Sequence, residues 1–284
     1  MKLSIIIPAK NESHGLAKLL PELRKYHPEF EIIVVDDGSD DDTGSVCRKN
    51  EVTLITHPYS MGNGAAIKSG VRKASTEILI FMDADGQHSP KDVGALIRKI
   101  EEGFDMVVGA RSSSSQASVG RLCANTFYNW FATFMVGQKV EDLTSGFRAV
   151  KAEYFRELLY LLPNGFSYPT TCTMAFFRSG YSVGYVPIET NERIGKSHIK
   201  LFKDGVRFLL ILFRIGTLYS PLKIFFPTSF AIFSTGVAYY LYTYLVATRF
   251  TNMSVSLFIA SVIIFLIGLV SEQITMLLYQ KQDK

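Results

Sequence analysis

The sequence predicts an α/β domain with a mostly parallel, doubly wound sheet, followed by a membrane tail. Before Lys200, short runs of β-branched residues alternate with amphipathic stretches, which is the order of a parallel sheet with helices on its faces. Acidic or amide-rich clusters follow three of the predicted strands. After Lys200 apolar residues prevail, in a chain that is 48% hydrophobic overall. These three observations set the fold class.

The alternation places the elements in chain order. Period-two runs of β-branched residues predict strands, and apolar residues three and four positions apart predict helices. The fourth helix has a start signal, because Ser89 stands at the N-cap and Pro90 at the first helical position. The predicted strands are 3–7, 31–35, 52–56, 77–82, 105–109, 143–149 and 183–187, and the predicted helices are 14–26, 42–50, 63–74, 90–102 and 121–136.

The fifth predicted helix, 121–136, has a broad aromatic face. Core packing is one interpretation of such a face, and the membrane-facing side of a lipid-handling enzyme is the other. A polar, low-complexity loop, 112–118, precedes it and is a candidate lid. The aromatic residues are Phe127, Tyr128, Trp130, Phe131 and Phe134.

Three polar loops are expected at one rim of the sheet. Residues 8–13 follow the first strand, 36–40 the second and 83–88 a later one. In open parallel sheets, ligands bind beyond the carboxyl ends of the strands. This rim is therefore the predicted functional site.

The most informative of these loops begins with Asp83 and Asp85, directly after an apolar strand. An extended chain sends residues i and i+2 to the same side, so both carboxylates can face one cation. Hard oxygen ligands favour Mg²⁺ or Mn²⁺ over Zn²⁺, and such ions usually keep positions open for a phosphate. The alternative interpretation is a solvated acidic turn.

The tail contains two apolar stretches, about 222–247 and 254–279. Each reaches the roughly 20 residues that span a bilayer, and 248–253 allows only a tight hairpin. Lys and Arg flank the outer ends while the turn carries only Arg249, so both termini are predicted to be cytosolic. Glu272, inside the second span, is costly unless it is paired or near the headgroups.

Three regions follow from this pattern. Residues 1–198 form the predicted cytosolic catalytic domain, 199–218 an amphipathic juxtamembrane helix with its charges on one face, and 219–284 the transmembrane hairpin. We expect an integral protein of a prokaryotic plasma membrane. The sequence leaves a homo-oligomer open.

Charge and cysteine usage exclude other classes. The net charge of +4 implies no general polyanion-binding surface, and hence no nucleic acid partner. Cys47, Cys123 and Cys172 have no metal-ligand spacing and indicate free thiols in a reducing compartment.

Five short motifs occur in an order that resembles family 2 glycosyltransferases of the GT-A fold. With residues 142–148, 193–198 and the membrane tail, the chain resembles the branch that includes dolichyl-phosphate mannose synthases and bacterial polyprenyl-phosphate glycosyltransferases. The resemblance covers essentially the whole chain. The motifs are Pro8-Ala-Lys-Asn-Glu12, Val35-Asp-Asp-Gly-Ser39, Met61-Gly-Asn-Gly-Ala-Ala66, Met82-Asp-Ala-Asp-Gly-Gln87 and Val108-Gly-Ala-Arg111.

The resemblance implies a donor site for a nucleotide-sugar, either GDP-mannose or a UDP-hexose. Asp83, Asp85 and Gln87 would hold Mg²⁺ or Mn²⁺. Asn63 has a second interpretation, as the N-cap of the following helix. The implied donor-binding residues are Pro8, Asn11, Glu12, Val35, Asp37, Ser39, Asn63, Ala84, Asp85 and Arg111.

The resemblance also implies a polyprenyl phosphate as acceptor, bound by Arg148, Arg193, Lys196 and Ser197, with Arg111 as a further cation on the acceptor side. Its phosphate oxygen would attack the anomeric carbon with inversion. A phosphate monoester is largely dianionic at neutral pH, so no strong base is required. The candidate catalytic residues are Asp85, Arg148 and Asp142, with Asp142 either positioning the acceptor or holding Arg148. His198 stands where the family commonly has lysine.

Other functions remain open from the sequence. A sugar-1-phosphate nucleotidylyltransferase predicts a Gly-rich, basic loop after the first strand, which residues 8–13 do not provide. A transferase acting on another lipid, or an inactive membrane-anchored subunit that binds nucleotide-sugars, would keep the same motifs. Two spans are too few for a translocating polymerase.

Overall fold

The computed structural model describes residues 2–111, 119–165, 167–190, 213 and 216–280, without the side chains of 119–124, 247 and 280. The chain forms two compact units, Met1–Lys200 and Leu201–Lys284. Each unit is described by itself.

The first unit is a seven-stranded mixed sheet with helices on both faces. Its strands are β1 (Leu3–Ala9), β2 (Glu31–Asp36), β3 (Thr53–Thr56), β4 (Ile78–Phe81), β5 (Met106–Arg111), β6 (Arg148–Lys151) and β7 (Val183–Ile188). Its helices are α1 (Ser13–Tyr26), α2 (Thr43–Lys49), α3 (Asn63–Lys73), α4 (Val93–Glu101), α5 (Val119–Val136), α6 (Ala152–Glu157) and α7 (Tyr168–Arg178). The strand order is β3-β2-β1-β4-β6-β5-β7.

The core lies on both faces of the central strands. Ile5 and Ile7 of β1 pack in one cluster with Leu16 and other residues of α1. Ile6 faces the other way, against Gly70 of α3, where an added Cβ would stand 2.4 Å from Ile6 Cγ2. Helices on both faces explain why the strand is apolar without alternation. Burial of each such aliphatic side chain contributes about 1.5–3 kcal/mol.

The predicted strands and helices are confirmed in order. Their bounds differ from the predicted ones by three residues or fewer, except for one strand. The strand predicted at 143–149 begins only at Arg148, and it pairs antiparallel with both β4 and β5. Helices α6 and α7 were not predicted. The sequence contains a signal for α7, because serine is a favoured N-cap residue. In the structure, Ser167 Oγ caps the helix by accepting a hydrogen bond from Thr170 N.

The antiparallel direction of β6 brings an extra segment to the rim. Phe81 at the carboxyl end of β4 pairs with Arg148 at the amino end of β6. The loop before β6 therefore lies where β4 and β5 end, beside Asp83 and Arg111. A parallel β6 would have placed this loop at the opposite edge of the sheet.

The second unit contains an antiparallel helical hairpin, α8 (Leu222–Ala247) and α9 (Asn252–Gln280). Both helices are long and apolar enough to span a membrane and are mostly exposed. Gly268 allows close packing, because an added Cβ would stand 2.6 Å from Phe225 Cβ. The predicted helix at 199–218 lies outside the described residues, apart from 213 and 216–218.

Glu272 is paired in the hairpin. Its Oε2 accepts a hydrogen bond of 3.3 Å from Leu222 N, the first residue of α8. The amino end of a helix carries unsatisfied N–H groups and a partial positive charge. The acidic side chain in the second span is thereby compensated by the end of the first.

Substitution of Gly15 tests how tightly α1 packs on the rim. A Cβ at Gly15 would stand 2.1 Å from the carbonyl oxygen of Ala84, so Gly15→Ala must displace backbone. Overpacking of this kind costs about 1–3 kcal/mol, and we expect a melting temperature about 5 °C lower. Thermal unfolding of the detergent-solubilised chain, followed by circular dichroism, measures it.

Gly94→Ala in α4 is the matched control. Its Cβ would meet only Arg98 Nη1, at 3.7 Å, and alanine favours helix more than glycine does. We expect no loss of stability. Equal melting temperatures for the two variants would contradict the close packing of α1 on Ala84.

Candidate active site

The loops after β1 and β2 are hydrogen-bonded to each other. Asn11 has a left-handed φ of 55°, which Asn tolerates better than most residues. Asn11 N donates to Ser39 Oγ (2.9 Å), and Asp40 N donates to Asn11 Oδ1 (2.8 Å). The structure thus brings together Asn11 and Ser39, two of the predicted donor-binding residues.

Asp41, which the sequence analysis missed, joins the amino ends of α1 and α2. Its Oδ2 accepts from Ser13 N and its Oδ1 from Thr43 N, while Glu12 N donates to Thr43 Oγ1. Burial alone would raise the pKa of Asp41, but the hydrogen bonds from Thr43 and Ser13 lower it to about 2. An acidic run ahead of a predicted helix was the available signal.

Asp37 holds the loop after β3. Its two oxygens accept from His57 Nδ1 (2.7 Å), Ser60 Oγ, Met61 N and Gly62 N (2.8 Å each). Burial raises the pKa of Asp37, but these four hydrogen bonds hold it below its ordinary value. A carboxylate has about four acceptor positions, and these four hydrogen bonds use them. The contacts therefore indicate that Asp37 positions residues 60–62, and they do not favour the predicted direct contact with the donor.

Pro8 and Val35 are neighbours in the sheet. Val35 pairs with Pro8 on one side and with Ile55 on the other, and its side chain is fully buried. The structure therefore does not support contact of the Val35 side chain with a donor.

Asn63 begins α3 and is exposed, and the N-cap position belongs to Gly62. The alternative interpretation, that Asn63 and the glycines around it form a turn and N-cap, is confirmed in part, because the cap is Gly62 and not Asn63. Gly62 has φ 104°, a conformation that favours glycine. A Cβ at Gly64 would stand 2.0 Å from Pro163 O. The amino end of α3 thus docks closely on 163–165.

The predicted metal-binding residues form a turn after β4. Asp85 is buried, and its Oδ1 accepts from Gln87 N at 3.1 Å, with Gly86 at φ 74°. Asp83 is 35% exposed. The backbone of Ala84 lies beneath α1, with its carbonyl facing Gly15.

The surroundings of Asp83 favour its charged form. Burial raises the pKa of its carboxyl, but His88 and the charges of Arg111 and Arg148 lower it overall. His88 Nε2 lies 3.8 Å from Asp83 Oδ2, and its ring stacks on Phe147 with 5.0 Å between centroids. His88 Nδ1 is buried and has no hydrogen-bond partner among the described residues. His88 is not among the predicted site residues, although it directly follows Gln87.

Gly146 lies against the Asp83 carboxylate. A Cβ at Gly146 would stand 2.6 Å from Asp83 Oδ2, so only glycine allows the backbone to approach this carboxylate so closely. In the described part of the chain no three His, Cys, Asp or Glu side chains converge on one point. A cation bound at Asp83 and Asp85 would therefore need further oxygen ligands to complete its coordination.

Arg111 and Asp142 form a two-pronged ion pair on the same rim. Arg111 Nε donates to Asp142 Oδ2 (2.8 Å) and Nη2 to Oδ1 (3.0 Å). The N–H groups of Thr144 and Ser145 also donate to Oδ1. Asp142 thus holds Arg111 and not Arg148. The Arg111 side chain remains 27% exposed, and its guanidinium has a fixed direction and a permanent charge.

Arg148 is enclosed by protein, with 0% exposure. Its Nη1 donates to Pro169 O (3.0 Å) and Thr173 Oγ1 (3.1 Å), and its Nη2 donates to Ser145 O. Its position does not support the predicted direct contact with the acceptor phosphate. Arg148 instead fixes the loop beside Asp83 and adds positive charge behind it. The other predicted acceptor residues, Arg193, Lys196 and Ser197, lie outside the described residues, as does His198.

Two family models match the chain. The model of glycosyl transferase family 2 matches residues 4–159, more than half of the chain. The model of the GtrB C-terminal hairpin matches residues 220–277.

Among curated relatives, the polyprenol monophosphomannose synthase of Mycolicibacterium smegmatis is 28% identical over 66% of this chain and 77% of its own length. The undecaprenyl-phosphate mannosyltransferase of Micrococcus luteus is 29% identical over 69% of this chain and 87% of its own.

A similar solved structure is glucosyl-3-phosphoglycerate synthase from Mycobacterium tuberculosis. Its complex with phosphoglyceric acid gives a TM-score of 0.62 at 20% identity, covering 75% of this chain and 79% of that one. Its complex with Mn²⁺, UDP and glucosyl-3-phosphoglycerate gives 0.58 at 20% identity, covering 74% and 79%. This likeness confirms the predicted GT-A-like fold.

Removal of the Asp142 charge tests the ion pair on the rim. Asp142→Asn leaves Arg111 largely buried without its counter-charge, which costs about 3 kcal/mol. Glu141→Gln is the matched control, because Glu141 pairs with an exposed Lys139 and such a pair contributes about 1 kcal/mol or less. Thermal unfolding compares them. Equal losses would contradict the assignment of Arg111 to Asp142.

Acid titration of wild type and Asp142→Asn tests whether the stability difference between them is electrostatic in origin. Burial raises the pKa of Asp142, but Arg111 and the N–H of Thr144 hold it below the ordinary value of 3.8. Stabilisation by such a group is present above its unfolded pKa and is lost as pH falls through its folded pKa. We expect the stability difference between wild type and Asp142→Asn to be constant from about pH 5 to 7 and to shrink below about pH 4. A difference that does not change with acidification would contradict the ion pair.

Proposed function

Because the chain belongs to glycosyltransferase family 2, we propose that it transfers a sugar from a nucleotide-sugar to the phosphate of a polyprenyl lipid. One observation carries this proposal: the carboxylates Asp83 and Asp85 lie on the same rim as Arg111, whose guanidinium is held in place. The same chain contains a hairpin of two apolar helices. Two relatives, a polyprenol monophosphomannose synthase and an undecaprenyl-phosphate mannosyltransferase, support a lipid-phosphate acceptor.

The donor diphosphate binds at the turn after β4. Asp83 and Asp85 would hold Mg²⁺ or Mn²⁺, with Gln87 as a further oxygen ligand. When bound, such an ion would supply positive charge to stabilise the departing nucleoside diphosphate. The linked loops after β1 and β2, with Asn11, Glu12 and Ser39, lie on the side of the rim where the nucleoside binds.

The acceptor phosphate approaches Arg111. A dianionic phosphate must come close to a donor that is itself negative, so a cation held in place lowers the repulsion. Asp142 keeps the Arg111 fork oriented, and Arg148 adds positive charge from within the protein. Arg193, Lys196 and Ser197 are the remaining proposed phosphate-binding residues.

The reaction needs no strong base. An acceptor phosphate oxygen attacks the anomeric carbon, the bond from that carbon to the donor phosphate breaks, and the nucleoside diphosphate leaves with the bonding electrons. The acceptor is already largely dianionic at neutral pH. Attack opposite the leaving group inverts the anomeric centre.

The hairpin anchors the chain in the membrane that contains the acceptor. Basic residues flank the outer ends of the spans, which favours a cytosolic catalytic domain and cytosolic termini. GDP-mannose and UDP-hexoses are the donors to test. Transfer to another lipid, or nucleotide-sugar binding without turnover, is the alternative function.

A product assay tests the proposal. Purified protein is incubated with undecaprenyl or dolichyl phosphate, Mg²⁺ or Mn²⁺ and a panel of nucleotide-sugars, and the lipids are analysed by mass spectrometry. We expect a metal-dependent glycosyl-phospholipid, reduced on the order of 100-fold or more by Asp85→Asn.

Asp40→Asn is the matched control, because Asp40 is an exposed carboxylate on the same rim. It is expected to retain most activity. Metal-dependent nucleotide binding without any product would contradict polyprenyl phosphate as acceptor and would favour the alternative function.

A further inference from the structure

Helix α5 of the first unit exposes three large aromatic side chains on one side. Phe127 is 46% exposed, Trp130 60% and Phe134 50%. We call these three residues the aromatic face. Their rings are close, with centroids 5.6 Å apart between Phe127 and Trp130 and 6.3 Å between Trp130 and Phe134.

The other side of α5 is part of the protein interior. Tyr128, Ala132 and Met135 are all buried. The prediction that the helix packs in the core is therefore right for one side only. A contiguous exposed apolar patch on a folded domain usually marks an interaction site.

The aromatic face is directly coupled to the candidate active site. Asn129 Nδ2 donates to Glu141 O (2.6 Å), and Leu143 N donates to Asn129 Oδ1 (3.0 Å). These two bonds enclose Asp142, the residue that holds Arg111. One residue of α5, between the exposed rings in sequence, thus fixes the segment that orients the proposed phosphate-binding cation.

We propose that the aromatic face docks on the lipid surface of the membrane, with its rings at the level of the headgroups. Two membrane-spanning helices in the same chain keep this domain beside a bilayer, so lipid is the partner at highest local concentration. This inference rests on the membrane anchoring in the proposed function, and not on catalytic activity.

The chemistry of the face fits lipid better than a protein partner. Residues 125–136 contain no charged side chain, so the face offers nothing for charge complementarity with another protein. Trp and Phe on one side of a helix are typical of segments that lie in the membrane interface. Docking there would bring the segment that orients Arg111 to the plane where lipid phosphates lie.

Trp130 is the only tryptophan in the sequence, so selectively excited tryptophan fluorescence reports on this face alone. The full-length protein is reconstituted in phosphatidylcholine vesicles, with or without brominated acyl chains. We expect blue-shifted emission from Trp130. Brominated lipid should quench it by roughly half and aqueous iodide should leave it nearly unchanged, because a ring docked in the interface lies about 5–10 Å below the surface.

Two results would overturn the proposal. Emission typical of water, quenched by iodide and unaffected by brominated lipid, would place Trp130 in solution. Blue-shifted emission protected from both quenchers would instead indicate a protein partner, such as a second copy.

Variants separate docking from misfolding. Phe127→Ser with Phe134→Ser retains Trp130 as reporter, and we expect brominated-lipid quenching to fall about twofold because two of the three inserted rings are gone. Tyr160→Ser, which removes an exposed aromatic residue elsewhere, is the matched control and should leave the quenching unchanged. Equal quenching in all three proteins would contradict the docking of this face.

Discussion

The antiparallel pairing of β6 between β4 and β5 is the constraint on which the candidate site depends. In a wholly parallel sheet the loop before β6 would lie at the far edge, away from Asp83. The observed direction brings Asp142 and Gly146 to the rim, where Asp142 holds Arg111 and Gly146 lies against Asp83. Opposite charges are thereby fixed on one edge by backbone geometry.

The loops after β1, β2 and β3 are held by hydrogen bonds to neighbouring segments, and this explains how loops form a defined site. Asp37 fixes the loop after β3, and Asp41 joins the starts of α1 and α2. These acidic side chains bind the protein's own N–H and O–H groups, while Asp83 remains partly exposed. The carboxylates that organise the rim thus differ from Asp83, which we propose binds a cation.

Short sequence patterns were sufficient to predict the elements that depend on residues close together in the chain. The strands before Arg111, the helices between them and the hairpin were predicted, because period and capping residues are short-range signals. The direction of β6, the partner of Asp142 and the enclosure of Arg148 depend on contacts between distant segments. The two-sided character of α5 also could not be predicted, since an aromatic run does not say which rings the fold covers.

The central claim is that Asp83 and Asp85 form an open cation site completed by the donor diphosphate. Titration of Mn²⁺ into the full-length protein, followed by electron paramagnetic resonance with and without GDP or UDP, tests it most directly. The account predicts weak Mn²⁺ binding in the absence of nucleotide. One of the two nucleotides should raise the affinity for Mn²⁺, and Mn²⁺ should raise the affinity for that nucleotide by the same factor. Asp83→Asn should remove this coupling. Tight Mn²⁺ binding that neither nucleotide nor the substitution changes would contradict the claim.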